Sequence, residues 1–253
     1  MQRLVFIGAG NVATHLAKAF YKKGYSIVQV FSKTKSSAKT LADEVKSSYT
    51  TNYNDLIDDG DIYIYCVTDE VLPELISQKT LSNGVHIHTA GSVKMDVFDK
   101  NRQNFGVLYP LQTFSKNKEI DFSKVPLFIE ANNDFSAQKI RELASVLSKK
   151  VFSISSENRQ KIHLSAVFAC NFTNHLFSIA QNLLGEIPFE VLLPLIEETV
   201  EKVKTISPKQ AQTGPAKRRD NNVIEKHLKA LSDKENWQEI YKKLTEDIQR
   251  ERS

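Results

Sequence analysis

The stretch Leu4-Val5-Phe6-Ile7-Gly8-Ala9-Gly10-Asn11-Val12-Ala13, close to the first residue, is the clearest indication of the fold class. Its first four residues form an apolar run that suits a buried strand, and the glycines interrupt that run with a turn. From Val12 to Lys23 apolar residues recur at helical spacing, up to Gly24. A strand, a glycine turn and a helix in immediate succession form the context in which a G-x-G-x-x-G/A pattern binds a dinucleotide.

The residue types of this turn have separate physical reasons. Gly8 permits the tight turn, Gly10 leaves no side chain where a pyrophosphate would approach, and Ala13 keeps helix and strand close. The free N–H groups at the helix start, together with the helix dipole, favour an anion. A tight turn with a purely structural role is the alternative. The residues expected to contact a nucleotide are Gly8, Ala9, Gly10, Asn11, Val12 and Ala13.

The residues that follow the next apolar run, 27–31, indicate whether the cofactor is NAD or NADP. In an NAD site an Asp or Glu binds the ribose 2′-hydroxyl at this point. Here the run 27–31 is followed by Ser32, Lys33 and Thr34, and no acidic residue occurs before Asp43. Two hydroxyls and an ammonium group suit a 2′-phosphate, so we expect these three residues to bind NADP. The missing acid also disfavours an adenosylmethionine-dependent methyltransferase, and an exposed loop lysine is the alternative for Lys33.

Further along, the chain shows two styles of sequence. Up to about residue 155, apolar runs alternate with helical segments, which predicts βαβ units and a parallel sheet. The predicted strands are 4–7, 27–31, 62–67, 85–88, 106–109, 127–130 and 151–154, with helices at 12–23 and 136–147. Later residues indicate helices only, at 157–184, 188–205, 221–231 and 234–250. We therefore expect an α/β fold, with a Rossmann-like dinucleotide-binding domain at 1–155 and an all-helical substrate and dimerisation domain at 156–253.

Composition limits the class of protein. The 253 residues are 41% hydrophobic and 25% charged, which is ordinary globular usage and excludes a disordered or collagen-like chain. A formal net charge of +4 provides no large field for nucleic acid. The uncharged segment 162–185 is long enough to span a bilayer, but its histidine and amide side chains argue against a lipid-facing helix. We expect no nucleic-acid partner and no membrane partner.

Cysteines and histidines add two further expectations. Cys66 and Cys170 form no C-x-x-C pair, which favours a reducing compartment, and the N-terminus lacks the apolar region of a signal peptide. We therefore expect a cytoplasmic protein. His86 and His88 lie on one face of a predicted strand, but no third ligand has suitable spacing, so no metal site is expected.

The predicted helix 157–184 carries two stripes of uncharged residues. Apolar residues recur at three- and four-residue steps from Leu164 to Leu183, and a polar stripe includes His163 and Asn171. A long helix without charge must be largely covered, so the polar stripe needs partners, which are either protein groups or a ligand. His163 is the candidate general acid, because imidazole titrates near neutrality, and Asn171 is the candidate for orienting a substrate. A structural polar seam is the alternative.

Several motifs resemble known families. Residues 7–13 and 31–34 are similar to pyrroline-carboxylate reductase and to the deazaflavin-dependent NADP oxidoreductases. More specifically, the chain resembles a little-characterised family described as NADP oxidoreductases, which pairs a Rossmann-like domain with a C-terminal helical domain of unknown function. This resemblance rests on His88-Thr89-Ala90-Gly91-Ser92, Tyr109-Pro110-Leu111-Gln112-Thr113-Phe114 and Thr213-Gly214-Pro215-Ala216-Lys217-Arg218-Arg219-Asp220. It covers nearly the whole chain, but the family has no settled substrate.

The resemblance implies further site residues. In related reductases the turn after the fourth strand borders the cofactor riboses, and two later turns flank the nicotinamide. The corresponding residues here are Cys66, Val67 and Thr68 in the first turn, and Thr89, Ser92 and Pro110 in the later ones. Of these, Ser92 is the candidate for contacting substrate as a catalytic hydroxyl. Helical domains of this type commonly bury an apolar face between two subunits, which implies a homodimer through the helical domain.

These expectations combine into one function. We expect an NADP-dependent oxidoreductase that transfers a hydride between NADPH and a small carbonyl or imine substrate at the cleft between the domains. The cofactor carries the hydride, and the protein orients the substrate and supplies the proton. A non-catalytic regulatory or scaffold protein that binds NADPH is the alternative. The sequence specifies neither the substrate nor the direction of reaction.

Overall fold

An eight-stranded sheet dominates the first two thirds of the computed structural model, which describes residues 2–78, 81, 83–98, 102–116 and 118–250. The strands are β1 (Arg3–Ile7), β2 (Ser26–Phe31), β3 (Ser48–Thr50), β4 (Ile62–Tyr65), β5 (Val85–His88), β6 (Phe105–Pro110), β7 (Leu127–Ala131) and β8 (Val151–Ser153). Their order in the sheet is β3-β2-β1-β4-β5-β6-β7-β8. Strands β1 to β6 are parallel, β7 runs antiparallel to β6, and β8 is parallel to β7. This arrangement confirms the predicted Rossmann-like sheet.

The strand order reverses direction at β1, which has β2 on one side and β4 on the other. In parallel sheets ligands bind beyond the carboxyl ends of the strands at such a switch point. The glycine turn directly follows β1, so the sequence motif lies at the position that the topology favours.

Helices cover both faces of the sheet. They are α1 (Asn11–Lys22), α2 (Lys35–Glu44) and α4 (Asp134–Leu147) on one face and α3 (Val71–Gln78) on the other, and α5 (Ser156–Ala166) follows β8. Alternate residues of β1 point to opposite faces: Leu4 and Phe6 pack with Phe20 of α1, whereas Val5 and Ile7 join a second apolar cluster that includes α3. The two clusters fix β1, and with it the start of the glycine turn.

Past β8 the described residues form helices and turns, as predicted. The remaining α-helices are α6 (Thr173–Leu184), α7 (Leu193–Thr205), α8 (Pro208–Ala211), α9 (Pro215–Arg218), α10 (Asn221–Ala230) and α11 (Glu235–Arg250). By its contacts the chain divides into two compact units, Met1–Asn171 and Phe172–Ser253. The functional boundary near residue 155 stays a prediction. In the described part of the chain, no helix has the length and apolar character needed to cross a membrane.

The predicted continuous α-helix over 157–184 is interrupted by a π-helical segment, Val167–Phe172. A π segment forms i→i+5 hydrogen bonds and therefore contains more residues per turn than an α-helix. The expectation that this uncharged region is covered is not met within the chain, since Leu164 is 59% exposed and Phe168 is 63% exposed. The apolar stripe is therefore largely exposed to solvent in the single chain.

Candidate active site

Gly8 closes the turn after β1 because no other residue fits there. Its φ is +118°, and a Cβ atom would overlap the Cys66 carbonyl oxygen and lie 2.8 Å from the carbonyl carbon. The Gly8 N–H donates to the Phe31 carbonyl (2.8 Å), and the Cys66 N–H donates to the Ile7 carbonyl (2.7 Å). These contacts draw the ends of β1, β2 and β4 together, so Gly8 is required by the fold itself.

Gly10 lies in a different environment. It precedes α1 with φ −79° and ψ −169°, a conformation open to any residue. Chain neighbours aside, no atom of a described residue lies within 4 Å of the place a Cβ would occupy. Among the described residues no side chain caps the first turn of α1, and that turn contains no acidic residue. An uncapped helix start beside open space suits a phosphate. The Asn11 side chain is already used, because its Nδ2 donates to the Phe114 carbonyl (2.9 Å).

The loop after β2 is polar and accessible. The Ser32 N–H donates to the Thr50 carbonyl (3.2 Å), and the Thr34 N–H donates to the Ser32 hydroxyl (3.3 Å), which holds the loop in place. Lys33 and Thr34 are exposed, and α2 begins directly afterwards with Lys35 and no acidic residue in its first turn. Lys35 was not among the predicted pocket residues, although it directly follows Thr34 in the sequence.

The turn after β4 is partly buried. Burial raises the pKa of the Cys66 thiol to about 12, so the group is a neutral packing residue. Val67 is half-buried, and Thr68 is exposed, with its carbonyl accepting from the Val71 N–H at the start of α3 (3.1 Å). The Thr89 hydroxyl donates to the Tyr65 carbonyl (3.4 Å) and is buried. These residues form one wall beside the glycine turn.

Ser92 and the acidic end of that turn lie together. The Ser92 hydroxyl donates to the Asp69 carboxylate, and the Ser92 carbonyl accepts from the Gln160 side chain of α5 (2.6 Å). Both Ser92 and Asp69 are exposed. A carboxylate next to a candidate catalytic hydroxyl was not predicted, and Asp69 is separated from Ser92 by 23 residues.

His163 meets Tyr109 and Gly91. The Tyr109 hydroxyl and His163 Nδ1 are 3.1 Å apart, and the two rings pack edge to face with centroids 6.0 Å apart. A Cβ on Gly91 would lie 2.6 Å from the same Nδ1 atom, so only glycine lets the imidazole approach this loop. Burial raises the pKa of Tyr109; the Arg159 charge lowers it, and the Asp69 charge raises it. Tyr109 is therefore a protonated phenol at neutral pH, hydrogen-bonded to an imidazole.

Asn171 and Pro110 complete the predicted set. Pro110 ends β6 and is buried, paired in register with Leu127. Asn171 is exposed and lies in the π segment. In a regular α-helix, residues 163 and 171 would be about 80° apart around the axis, and the smaller rotation per residue in a π segment reduces that angle. The interruption thus brings Asn171 closer to the helix face of His163.

The histidine pair on β5 belongs to the core. His86 stacks on Tyr63 (centroids 4.8 Å apart, planes at 4°) and bonds the Tyr65 hydroxyl and the Asn83 carbonyl. His88 Nδ1 accepts from the Ala90 N–H (3.2 Å). Within the described ranges, no group of three metal-ligating side chains occurs. An open depression lined by Asp59 and Asn104 lies at the amino-terminal end of the sheet, the end that parallel-sheet ligands do not use.

Comparison with known proteins places this geometry in a family. Residues 3–89 match the domain described as "NADP oxidoreductase coenzyme F420-dependent", and residues 125–248 match a domain of unknown function, DUF2520. The "putative NADP oxidoreductase BF3122" from Bacteroides fragilis is 45% identical over 98% of both chains, with a TM-score of 0.92. The chain belongs to this family of NADP oxidoreductases. The predicted resemblance is thereby confirmed.

More distant structures share the fold of the BF3122 family. An imine reductase from Myxococcus stipitatus in complex with NADP⁺ is 17% identical over 98% of this chain and 92% of that chain, with a TM-score of 0.69. A 1-pyrroline-5-carboxylate reductase from Streptococcus pyogenes is 14% identical over 98% of both chains, with a TM-score of 0.62. No curated protein matches the chain. The family provides the oxidoreductase class and leaves the substrate open.

Proposed function

We propose that this member of the BF3122 family transfers a hydride between NADPH and a small carbonyl or imine substrate. The observation that carries the proposal is the Tyr109–His163 pair, a proton donor and its partner, on the same unit as the glycine turn. The fold shared with an imine reductase bound to NADP⁺ and with a pyrroline-carboxylate reductase supports the C=N option.

The residues present fit a dinucleotide. The open space at Gly10 and the uncapped start of α1 suit the pyrophosphate, with the backbone of residues 8–13 around it. Ser32, Lys33 and Thr34 would bind the 2′-phosphate, since the loop offers hydroxyls and an ammonium group and no carboxylate. The residues that would border the riboses and nicotinamide are Cys66, Val67, Thr68, Thr89 and Pro110.

The chemistry divides between cofactor and protein. NADPH, when bound, supplies the hydride. As the substrate carbon gains that hydride, its oxygen or nitrogen gains the former π electrons and requires a proton. Tyr109 holds a proton at its hydroxyl and shares a hydrogen bond with His163, so this pair protonates the substrate. Asn171 would orient the polar group of the substrate, and Ser92, bonded to Asp69, would contact it.

Cofactor choice tests the first half of the proposal. Reversing the Lys33 charge removes an attraction to a 2′-phosphate and adds a repulsion, together worth about 2 kcal/mol at an exposed site, or about 30-fold in affinity. Lys33→Asp is therefore expected to weaken NADPH binding far more than NADH binding in calorimetry. Lys209→Asp, with the same change of net charge in the second unit, is the control. Equal losses for NADPH and NADH would remove the phosphate-pocket assignment.

The proton-donor pair tests the second half. Tyr109→Phe and His163→Gln are each expected to lower turnover of a panel of small imines and carbonyls by about 10²–10⁴-fold, the range for general acid catalysis, with NADPH affinity nearly unchanged. The matched control is Tyr241→Phe. In the second unit the Tyr241 hydroxyl lies 2.9 Å from His227 Nδ1, and the two rings also pack edge to face. Tight NADPH binding with no turnover across the panel by the wild type would favour the regulatory or scaffold role.

The exposed apolar stripe supports a homodimer. Besides Leu164, large apolar side chains that are exposed in the single chain include Phe168, Phe172, Leu176, Leu183, Ile187, Val191 and Leu195. Large exposed apolar side chains in this number are typical of interfaces. Light scattering should give twice 28.7 kDa for the wild type and 28.7 kDa for Leu164→Glu, with Ser165→Glu as the neighbouring control. A monomeric wild type would refute the dimer. The cytoplasmic location stays a prediction.

A further inference from the structure

We infer that Arg159, together with Glu130, is a positioning residue that places the Tyr109–His163 pair for proton transfer. The inference rests on the proposed function, since it assigns a role toward the proton donor of that reaction. None of the motifs in the sequence includes Arg159 or Glu130. They lie 29 positions apart, on α5 and β7.

Arg159 is completely buried, and its donors are divided between three elements. One guanidinium nitrogen donates to the Glu130 carboxylate on β7, and another donates to the Val93 carbonyl in the loop after β5. The second nitrogen is also 3.3 Å from the Ser156 hydroxyl at the start of α5. Arginine is suited to this arrangement because its donors form a planar fork of fixed geometry.

Ser156 links the same three elements. Its hydroxyl donates to the Glu130 carboxylate (2.9 Å) and accepts from the Met95 N–H (3.1 Å), while its own N–H donates to Glu130 (3.0 Å). The loop after β5 is therefore bonded at Val93 and Met95 to the first turns of α5. This is the loop that contains Gly91 and Ser92.

The consequence for His163 follows from helix geometry. Residues four apart lie on one face of an α-helix, so His163 follows Arg159 on the same face, one turn later. There the imidazole meets Gly91 at the other end of the bonded loop, and Tyr109 at the end of β6. Because the Arg159 contacts fix both the helix and the loop, they determine how closely His163 approaches Tyr109.

The charge of Arg159 also acts on Tyr109. It lowers the pKa of Tyr109, whereas the Asp69 charge raises it. Burial, together with the Arg159 charge, also lowers the pKa of His88 to about 3, so His88 is neutral. A buried ion pair costs desolvation and is often replaceable by apolar residues without loss of stability. A role in positioning Tyr109 and His163 accounts for the buried ion pair of Arg159 and Glu130.

The test measures the ¹⁵N resonance of His163 Nδ1 by NMR, with Tyr109→Phe defining the value without the tyrosine bond. In the double variant Arg159→Met/Glu130→Gln, which leaves no unpaired buried charge, we expect the resonance to move toward the Tyr109→Phe value. Arg102→Met is the control, because Arg102 is also buried but donates to the Ile76 carbonyl by α3. This control should leave the His163 resonance at the wild-type position.

Two further measurements separate this inference from the proposed function. NADPH affinity by calorimetry should change by less than about twofold in the double variant, whereas kcat should fall with little change in KM. If the double variant fails to fold, Arg159→Lys is the substitute, because it keeps the charge and loses the planar guanidinium donors. In that variant too we expect the His163 resonance to move toward the Tyr109→Phe value. A wild-type His163 resonance in a folded Arg159 variant would overturn the inference. If the wild type does not bind NADPH, the proposed function is overturned instead.

Discussion

Replacing Gly10 by alanine separates the two reasons for a glycine in the turn after β1. Around Gly10 the structure leaves the Cβ position empty, and the backbone there suits any residue. At Gly8, by contrast, φ is +118° and a Cβ would overlap the Cys66 backbone. Gly8→Ala should therefore damage the fold, whereas Gly10→Ala should damage nucleotide binding alone.

The magnitudes follow from these two environments. Gly8→Ala combines about 1–2 kcal/mol for a left-handed backbone with about 1–3 kcal/mol for overpacking, so unfolding should become easier by about 2–5 kcal/mol. Gly10→Ala gains about 0.4–1 kcal/mol from the unfolded chain and loses about 0.5–1 kcal/mol as a helix cap, so stability should change by less than about 1 kcal/mol. Its methyl group displaces the phosphates from charge-assisted N–H bonds worth about 1.5–3 kcal/mol, or about 10–150-fold in affinity.

Two assays check this contrast. Urea unfolding gives the stability of each variant, and calorimetry with NADPH and NADH gives the affinities. Both cofactors share the pyrophosphate, so Gly10→Ala should weaken them by the same factor, unlike Lys33→Asp. A Gly10→Ala protein that binds both cofactors as tightly as the wild type would refute pyrophosphate binding at the start of α1.

Two other predictions concern the histidines. His86 and His88 are held neutral, with burial lowering their pKa values to about 4 and about 3, so the stability they contribute is complete above the unfolded value of about 6.5 and is lost as the pH falls below it. Each of the two histidines should lower the free energy of unfolding by about 2 kcal/mol at pH 5. Equal midpoints of urea unfolding at pH 7.5 and pH 5 would contradict this. Gly91→Ala should displace the His163 ring, because the methyl group would lie 2.6 Å from Nδ1 of His163. Turnover should then fall by about tenfold or more, with NADPH affinity unchanged. Turnover at the wild-type rate would show that the close approach of His163 to Gly91 is not needed.

Most of the fold could be predicted because its elements carry strong local signals. Strands β1, β2, β4, β5, β6 and β7 are largely buried apolar runs, and the glycine turn identifies the first βα unit. Strand β3 was missed because its three residues, Ser48–Thr50, lie at the sheet edge and carry no apolar run. The π segment was missed because its residues Val167–Phe172 suit an α-helix equally well, and only the hydrogen-bond pattern distinguishes the two.

The candidate site was less predictable because it depends on contacts between distant residues. His163 was selected from the helix pattern, but its partner Tyr109 lies 54 residues away, and Ser92 reaches Asp69 across 23 residues. The Arg159–Glu130 pair left no signal, since charged residues of both signs occur throughout the chain. Such pairings depend on how strands and helices pack, and a single sequence does not contain that information.

Calorimetry at matched salt, which gives the affinity of the wild type for NADPH and for NADH, tests whether the glycine turn and the Ser32–Thr34 loop bind NADP. We expect micromolar binding of NADPH and binding of NADH that is at least about tenfold weaker, since one paired phosphate is worth about 1.4 kcal/mol or more. Binding of neither cofactor would contradict this expectation, and the turn at Gly8 and Gly10 would then have a structural role only.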